Sequence, residues 1–121
     1  EMKTLSLLQK ANRWDPTVLP AQKVLDLATI EAARAVRMDQ LIGSIEVGKK
    51  ADLVILNGKA ANLRPARPDT IVSNLVYSAC GGNVKSVLCD GRAVMLEGVL
   101  TTMDEEKVLV DAEDAANSLL G

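Results

Sequence analysis

The sequence predicts an α+β chain in which helices come first, a small sheet follows and a single helix closes. Three observations carry this. Apolar residues recur at helical spacing over the first third of the chain. Beyond Gly43 they give way to short branched runs set off by Gly48, Asn57-Gly58 and Asp90-Gly91. After Asp104 helical spacing returns. Helices segregated from a small sheet indicate α+β rather than a doubly wound sheet. With 121 residues, 48% hydrophobic and 25% charged, the chain has the composition of a globular protein and the length for one core.

Met2, Leu5, Leu8 and Ala11, with Leu7 and Trp14 adjoining, predict a helix over 1–14. Asp15-Pro16 ends it, because a residue before proline is pushed out of the α region. Residue 1 is not Met and no capping residue precedes the helix, so further sequence is expected upstream of Glu1. Pro20 suits a first helical turn, and Val24, Leu25, Leu27 and Ala28 give the segment 21–28 an apolar face. Thr29 is placed to cap a helix over Ile30 to Arg37, whose Ala32, Ala33, Ala35 and Val36 favour close packing. Residues 39–43 form the exit loop.

Leu53 to Leu56 is a continuous apolar run of strand length, and a strand apolar on both faces is expected inside a layered structure. Residues 62–68, with two prolines and two arginines, read as an extended loop. Asp69 is expected to cap a short helix through Ile71, Val72, Leu75 and Val76, which Gly81-Gly82-Asn83 breaks. Val84 to Cys89 and Arg92 to Leu96 flank Asp90-Gly91, a strong hairpin signal because both turn residues need positive φ. Val99-Leu100 extends the sheet after a turn at Glu97-Gly98. Asp104 opens a helix from Glu105 to Leu120, its early acids suiting the positive end of the helix dipole. Val108, Leu109, Ala112, Ala115, Ala116, Leu119 and Leu120 form its apolar face.

Composition excludes several functions. The chain has no His, the commonest metal ligand and the usual general base near neutral pH. His-rich zinc centres and Ser–His or Cys–His pairs cannot be built from it alone. One Trp, one Tyr and no Phe leave no platform for stacking bases, and a net charge of −2 with interspersed signs offers no footprint for a polyanion. No nucleic-acid or membrane partner is expected: no segment approaches the length of a membrane span and no signal-like stretch opens the chain. Cys80 and Cys89 lack C-x-x-C spacing and read as two buried free thiols acting as small hydrophobes, so a cytoplasmic, reducing setting is expected.

A few residues invite a chemical reading. Gly43 to Lys49 has the spacing of a phosphate-binding loop, but Lys50 stands where the Mg²⁺-binding hydroxyl belongs and the segment leads into a strand. Asp52 beside Lys50 reads as a structural acid at the start of the strand. Ser78 and Cys80 lack the G-x-S-x-G elbow and any base. Glu105, Glu106, Asp111 and Glu113 read as a solvated helix face. Arg64 and Arg67 are the surface residues most suited to contact another domain or subunit. No catalytic, cofactor-binding or metal-binding residue is assigned.

The run GSIEVGKKADLVIL, Gly43 to Leu56, resembles the C-terminal signature of the amidohydrolase superfamily. On either side, LPAQKVLDLATIEAARAV is similar to the family's last barrel helices. VKSVLCDGRAVMLEGVLTTMDEE resembles its hairpin and the link to its terminal helix, and EMKTLSLLQK with DPTVLP is similar to the helix after the last barrel strand. The closest subgroup is that of the 5′-methylthioadenosine/S-adenosylhomocysteine deaminases, with triazine chlorohydrolases and guanine and cytosine deaminases nearby. Ala32 where Gly is common and Cys89 where a branched residue is common depart from the pattern without touching its chemistry.

The resemblance implies helices from the end of a (β/α)₈ barrel over 1–42, a partial β-sandwich over 43–103 and a C-terminal helix over 104–121. It also implies that the sandwich takes strands from the N-terminal end of the full-length protein, leaving this chain with an unpaired sheet edge, and that the helices from Met2 to Val36 lie with their apolar faces exposed where a barrel would cover them. Family members use zinc or another divalent metal held by a His-x-His pair, further histidines and an Asp, all expected before Glu1; none maps onto this chain. A barrel alone takes about 250 residues. The chain is therefore expected to be the C-terminal fragment of a hydrolytic deaminase or chlorohydrolase of nitrogen heterocycles, without the catalytic centre, inactive alone, and with no cofactor of its own. Its expected partner is the missing barrel portion or a second copy. The alternative is a non-catalytic structural or interaction module.

Overall fold

The computed structural model describes Glu1 to Leu120. Its first helix, α1 (Met2–Arg13), stops where Trp14 turns left-handed at φ 49°, sending the Trp14 N–H to the Ala11 carbonyl and the Asp15 N–H to the Lys10 carbonyl. Asp15 Oδ1 accepts from the Thr17 backbone N–H at 2.8 Å and hydroxyl at 2.6 Å. The Lys10 ammonium donates to the carbonyls of Val18, at 2.7 Å, and Pro16. The following loop is thereby strapped to the end of α1.

The face α1 buries is not the leucine stripe. Ser6 is fully buried, its hydroxyl 2.8 Å from the Tyr77 hydroxyl and 3.3 Å from the Leu19 carbonyl, while Leu5, Leu7 and Leu8 remain exposed. A buried hydroxyl must be hydrogen-bonded, and Tyr77 satisfies it. The apolar period correctly marks a helix, and its leucines lie exposed.

Helix α2 (Ala21–Ala28) begins directly after Pro20 and packs against α1 and α3 (Ile30–Ala35), with Val24 fully buried. α3 ends two residues earlier than the spacing predicts. Thr29 does not cap it: its hydroxyl donates back to the Leu25 carbonyl at 2.7 Å, closing α2 instead. Side-chain hydroxyls readily bond such preceding carbonyls, and this competes with capping.

Helix α4 (Ile71–Tyr77) packs on α2 and α1. The expected cap, Asp69, is paired with the Arg67 guanidinium at 3.0 Å, and Thr70 occupies the capping position with its hydroxyl on the Pro65 carbonyl at 2.7 Å. Asn74 Nδ2 donates to the carbonyls of Leu63 and Pro65, at 3.1 and 2.9 Å, so the proline-rich loop is held to α4. Val24, Ala33, Leu63 and Val76 are the buried apolar side chains.

The strands β1 (Leu53–Leu56), β2 (Val84–Cys89), β3 (Arg92–Leu96) and β4 (Val99–Leu100) form one antiparallel sheet in the order β1-β2-β3-β4. Leu53 faces Leu88, Cys89 faces Arg92 and Leu96 faces Val99. Asp90 and Gly91 both have positive φ, 50° and 76°, as the Asp-Gly hairpin requires. β1 lies at the sheet edge with Val54 and Ile55 61% and 48% exposed, so the expectation of a strand enclosed by layers is not met. Among the described residues there is one sheet, and nothing stacks on β1's outer face to bury it. Finally α5 (Glu105–Leu120) starts where Asp104 Oδ1 accepts the Lys107 N–H at 3.1 Å, and every one of its residues is exposed.

Candidate functional site

The most constrained part of the chain is the loop between α3 and β1. Gly43 has φ 92°, and a Cβ there would stand 2.7 Å from the Ala33 Cβ and 3.0 Å from the Ile30 Cα. Only glycine lets the backbone cross α3 this closely. Beyond it, the Lys49 ammonium bonds the Ser44 hydroxyl at 2.5 Å and the Glu46 carboxylate at 3.2 Å, and Ser44 also donates to Glu46. The Ser44 hydroxyl and the Lys49 ammonium hold the Glu46 carboxyl below its ordinary value of 4.5. Lys49 is thus turned onto its own loop, and the loop runs into a strand; neither feature suits a phosphate cradle.

Lys50 and Asp52 clamp the start of β1 to the β2–β3 hairpin. Asp52 Oδ1 accepts the Asp90 N–H at 2.6 Å, Lys50 Nζ donates to Asp90 Oδ2 at 2.9 Å, and the Gly91 N–H reaches the Ala51 carbonyl at 3.1 Å. The Asp90 carboxylate raises the Lys50 pKa above 10.5. Asp52 is a structural acid, as its position before the strand implies.

Between α2, α3 and β1 lies an open groove of about 850 Å³ lined chiefly by Leu25, Ala32, Val36, Ile45, Val54 and Leu75. Lys50 and Asp52 border it, but both serve the hairpin clamp. The groove has the character of a packing surface, without convergent polar groups to orient a small substrate.

The Ser78 and Cys80 region holds a polar cluster that sequence patterns do not reveal. Asn62 and Asn83 exchange side-chain amide bonds at 2.9 and 3.0 Å, Asn62 also donates to the Ser78 carbonyl at 2.8 Å, and Asn83 Oδ1 accepts from the Cys80 N–H at 2.9 Å and Sγ at 3.4 Å. This cross-links the proline-rich loop to the turn before β2. Two asparagines 21 positions apart carry no local signal of pairing. No base adjoins either candidate nucleophile, and Cys80 and Cys89 are both free but exposed rather than buried, since the turn before β2 and the end of β2 at the hairpin lie at the surface. Arg67 is engaged by Asp69 on the surface. Among the described residues no three His, Cys, Asp or Glu side chains are grouped so as to hold a metal ion.

Residues 1–94 match the model of the amidohydrolase family. The chain belongs to the amidohydrolase family. A 5′-deoxyadenosine deaminase of Methanothermobacter thermautotrophicus is 48% identical over 121 residues, all of this chain and 27% of that protein. A 5-methylthioadenosine/S-adenosylhomocysteine deaminase of Syntrophomonas wolfei is 41% identical over the same span, 28% of its length. The crystal structure of an adenosine deaminase from Xanthomonas campestris with bound zinc superimposes with a TM-score of 0.89 at 34% identity, over 98% of this chain and 26% of that one. This amidohydrolase chain thus spans about a quarter of the length of the relatives it matches. The zinc that the family implies finds no fitting donor set among the residues present: there is no imidazole, and the carboxylates and thiols do not converge. No helix among the described residues is long and apolar enough to cross a membrane.

Proposed function

We propose that this chain is the C-terminal portion of a hydrolytic deaminase acting on an adenosine-type nucleoside, and that it contributes structure rather than the reacting groups. Residues 1–42 supply helices that close the end of a (β/α)₈ barrel, 43–103 supply part of a β-sandwich, and 104–120 a terminal helix; residue 121 lies outside the described residues. The metal and the groups that activate water reside in the portion that this chain lacks; the residues here hold no proton or ligand of the reaction. The deaminases among its sequence relatives favour deamination over dechlorination.

One observation carries this reading. The chain exposes 9,024 Å², whereas a compact monomer of 12.9 kDa exposes about 6,300 Å². Large apolar side chains are exposed on that surface, in the groove beside β1, on α1 and along α5. Such surface suits a part seated in a larger body.

The purified chain, supplied with zinc and 5′-deoxyadenosine, is expected to release no ammonia and to leave the adenine absorbance unchanged. Metal-dependent turnover by this chain alone would overturn the proposal.

A further inference from the structure

The turn that follows β1 has a covalent chemistry of its own. Among the chain's asparagines, Asn57 alone precedes a glycine, Gly58. Asn57, Gly58 and Lys59 are exposed. The Ala60 N–H donates to the Asn57 carbonyl at 3.1 Å, and the Lys59 N–H donates to Asn57 Oδ1, also at 3.1 Å. This asparagine turn folds the side-chain amide back along the Gly58 peptide. The same Lys59 N–H stabilises the negative charge that gathers on Oδ1 when a nucleophile adds to Cγ. The Gly58 N–H bonds the Leu56 carbonyl at 3.1 Å, a bent three-residue contact that opens without disturbing a strand or helix. A Cβ at Gly58 would meet nothing within 4 Å, so the glycine nitrogen is uncrowded.

We propose that Asn57 is a site of spontaneous deamidation through a cyclic imide formed with Gly58. The Gly58 nitrogen gives up its proton to hydroxide and attacks Asn57 Cγ. A new N–C bond forms, the Cγ–Nδ2 bond breaks, and the amide nitrogen takes a proton from water and leaves as ammonia. Water then opens the imide at either carbonyl. Opening at the side-chain carbonyl gives an aspartyl residue; opening at the α-carbonyl gives an isoaspartyl one, whose backbone runs through the former side chain. Either product carries a carboxylate in place of an amide and so lies one charge below the present −2. The isoaspartyl form also adds a methylene to the backbone where the Asn57 N–H meets the Asn83 carbonyl at 2.8 Å, which loosens the end of β1. The other asparagines are protected. They precede larger residues; Asn12, Asn74 and Asn117 lie within helices, and Asn62 and Asn83 hold each other's side chains. Asp90-Gly91 is the related pair, but an ionised carboxylate is a poor electrophile, Lys50 pairs with it at 2.9 Å, and the Ala51 carbonyl engages the Gly91 N–H. The inference rests on the turn alone and is independent of the deaminase reading.

Incubating the purified chain in neutral and in mildly alkaline buffer tests this, read by the mass of the tryptic peptide 51–59, which ends at Lys59. That peptide is expected to convert into two products of equal mass, aspartyl and isoaspartyl, and to do so faster in the alkaline buffer. Ammonia should appear without added substrate and stop at one equivalent per chain, which separates it from enzymatic turnover. The rate should lie within about tenfold of that of the free synthetic peptide 51–59. Gly58→Ala should slow conversion about tenfold by crowding the attacking nitrogen. Its circular dichroism should match wild type, because the added Cβ meets no neighbour. A chain that converts more than about tenfold slower than the free peptide overturns the proposal, since the turn then protects Asn57. So does conversion at another asparagine before Asn57, or a Gly58→Ala variant that converts as fast as wild type to aspartate alone, the mark of direct attack by water.

Discussion

Gly43 and Asp52 show what the signature loop does at the scale of single residues. Replacing Gly43 with Ala brings a methyl within 2.7 Å of the Ala33 Cβ at φ 92°, so contact and backbone strain add. Gly43→Ala is expected to destabilise the chain by about 1–3 kcal/mol in urea titrations. Adding Ala33→Gly should recover only part of this, because it removes the Ala33 contact and leaves the close approach to the Ile30 backbone and the strain. Asp52→Ala removes the acceptor for the Asp90 N–H and should cost about 0.5–1.5 kcal/mol, with Asp52→Asn retaining much of it. Glu46 provides a check on charge. Its folded pKa lies below 4.5, so its contribution is present above that value and is lost as pH falls through the folded one. By NMR the Glu46 carboxyl should titrate below 4.5, and Ser44→Ala, which removes the foremost cause, should move the midpoint upward.

At the scale of elements, most of the fold is legible in the sequence, because turn chemistry and periodicity are local. Asp90-Gly91 fixes its hairpin and Asp104 starts α5 as their side chains and φ preferences dictate. What is not legible depends on distant partners. Ser6 is buried because Tyr77, 71 positions away, satisfies its hydroxyl. Thr29 and Asp69 give up their expected capping roles to a preceding carbonyl and a neighbouring guanidinium. The reciprocal Asn62–Asn83 pair is likewise a product of tertiary approach. β1 is the instructive case: its four apolar residues predict burial, yet they line an open edge. An edge without charge or proline invites pairing with other strands. Ile55→Lys is therefore expected to lower the aggregation rate, followed by light scattering, while leaving the unfolding free energy from urea titration within about 0.5 kcal/mol of wild type, because Ile55 is already 48% exposed. A large loss of stability would mean that β1 is covered in solution.

At the scale of the whole molecule, the chain separates into a well-bonded interior and an unsatisfied exterior. The bonds that link α1 to α4, the proline-rich loop to the turn before β2, and β1 to the hairpin lie within the chain. The apolar surfaces around them face outward. If these surfaces are seats for the remainder of a deaminase, adding that remainder in trans should cover them in a particular pattern. Hydrogen exchange read by mass spectrometry is expected to slow most over 53–56 and over the helices flanking the groove, 21–35. The hairpin at 89–92, already tied by Asp52 and Lys50, should change least. Emission from a dye that reports exposed apolar surface should fall in parallel. Uniform slowing over all elements would indicate general stabilisation without a seat, and no slowing would mean that the groove and the β1 edge are not where the larger protein holds this chain.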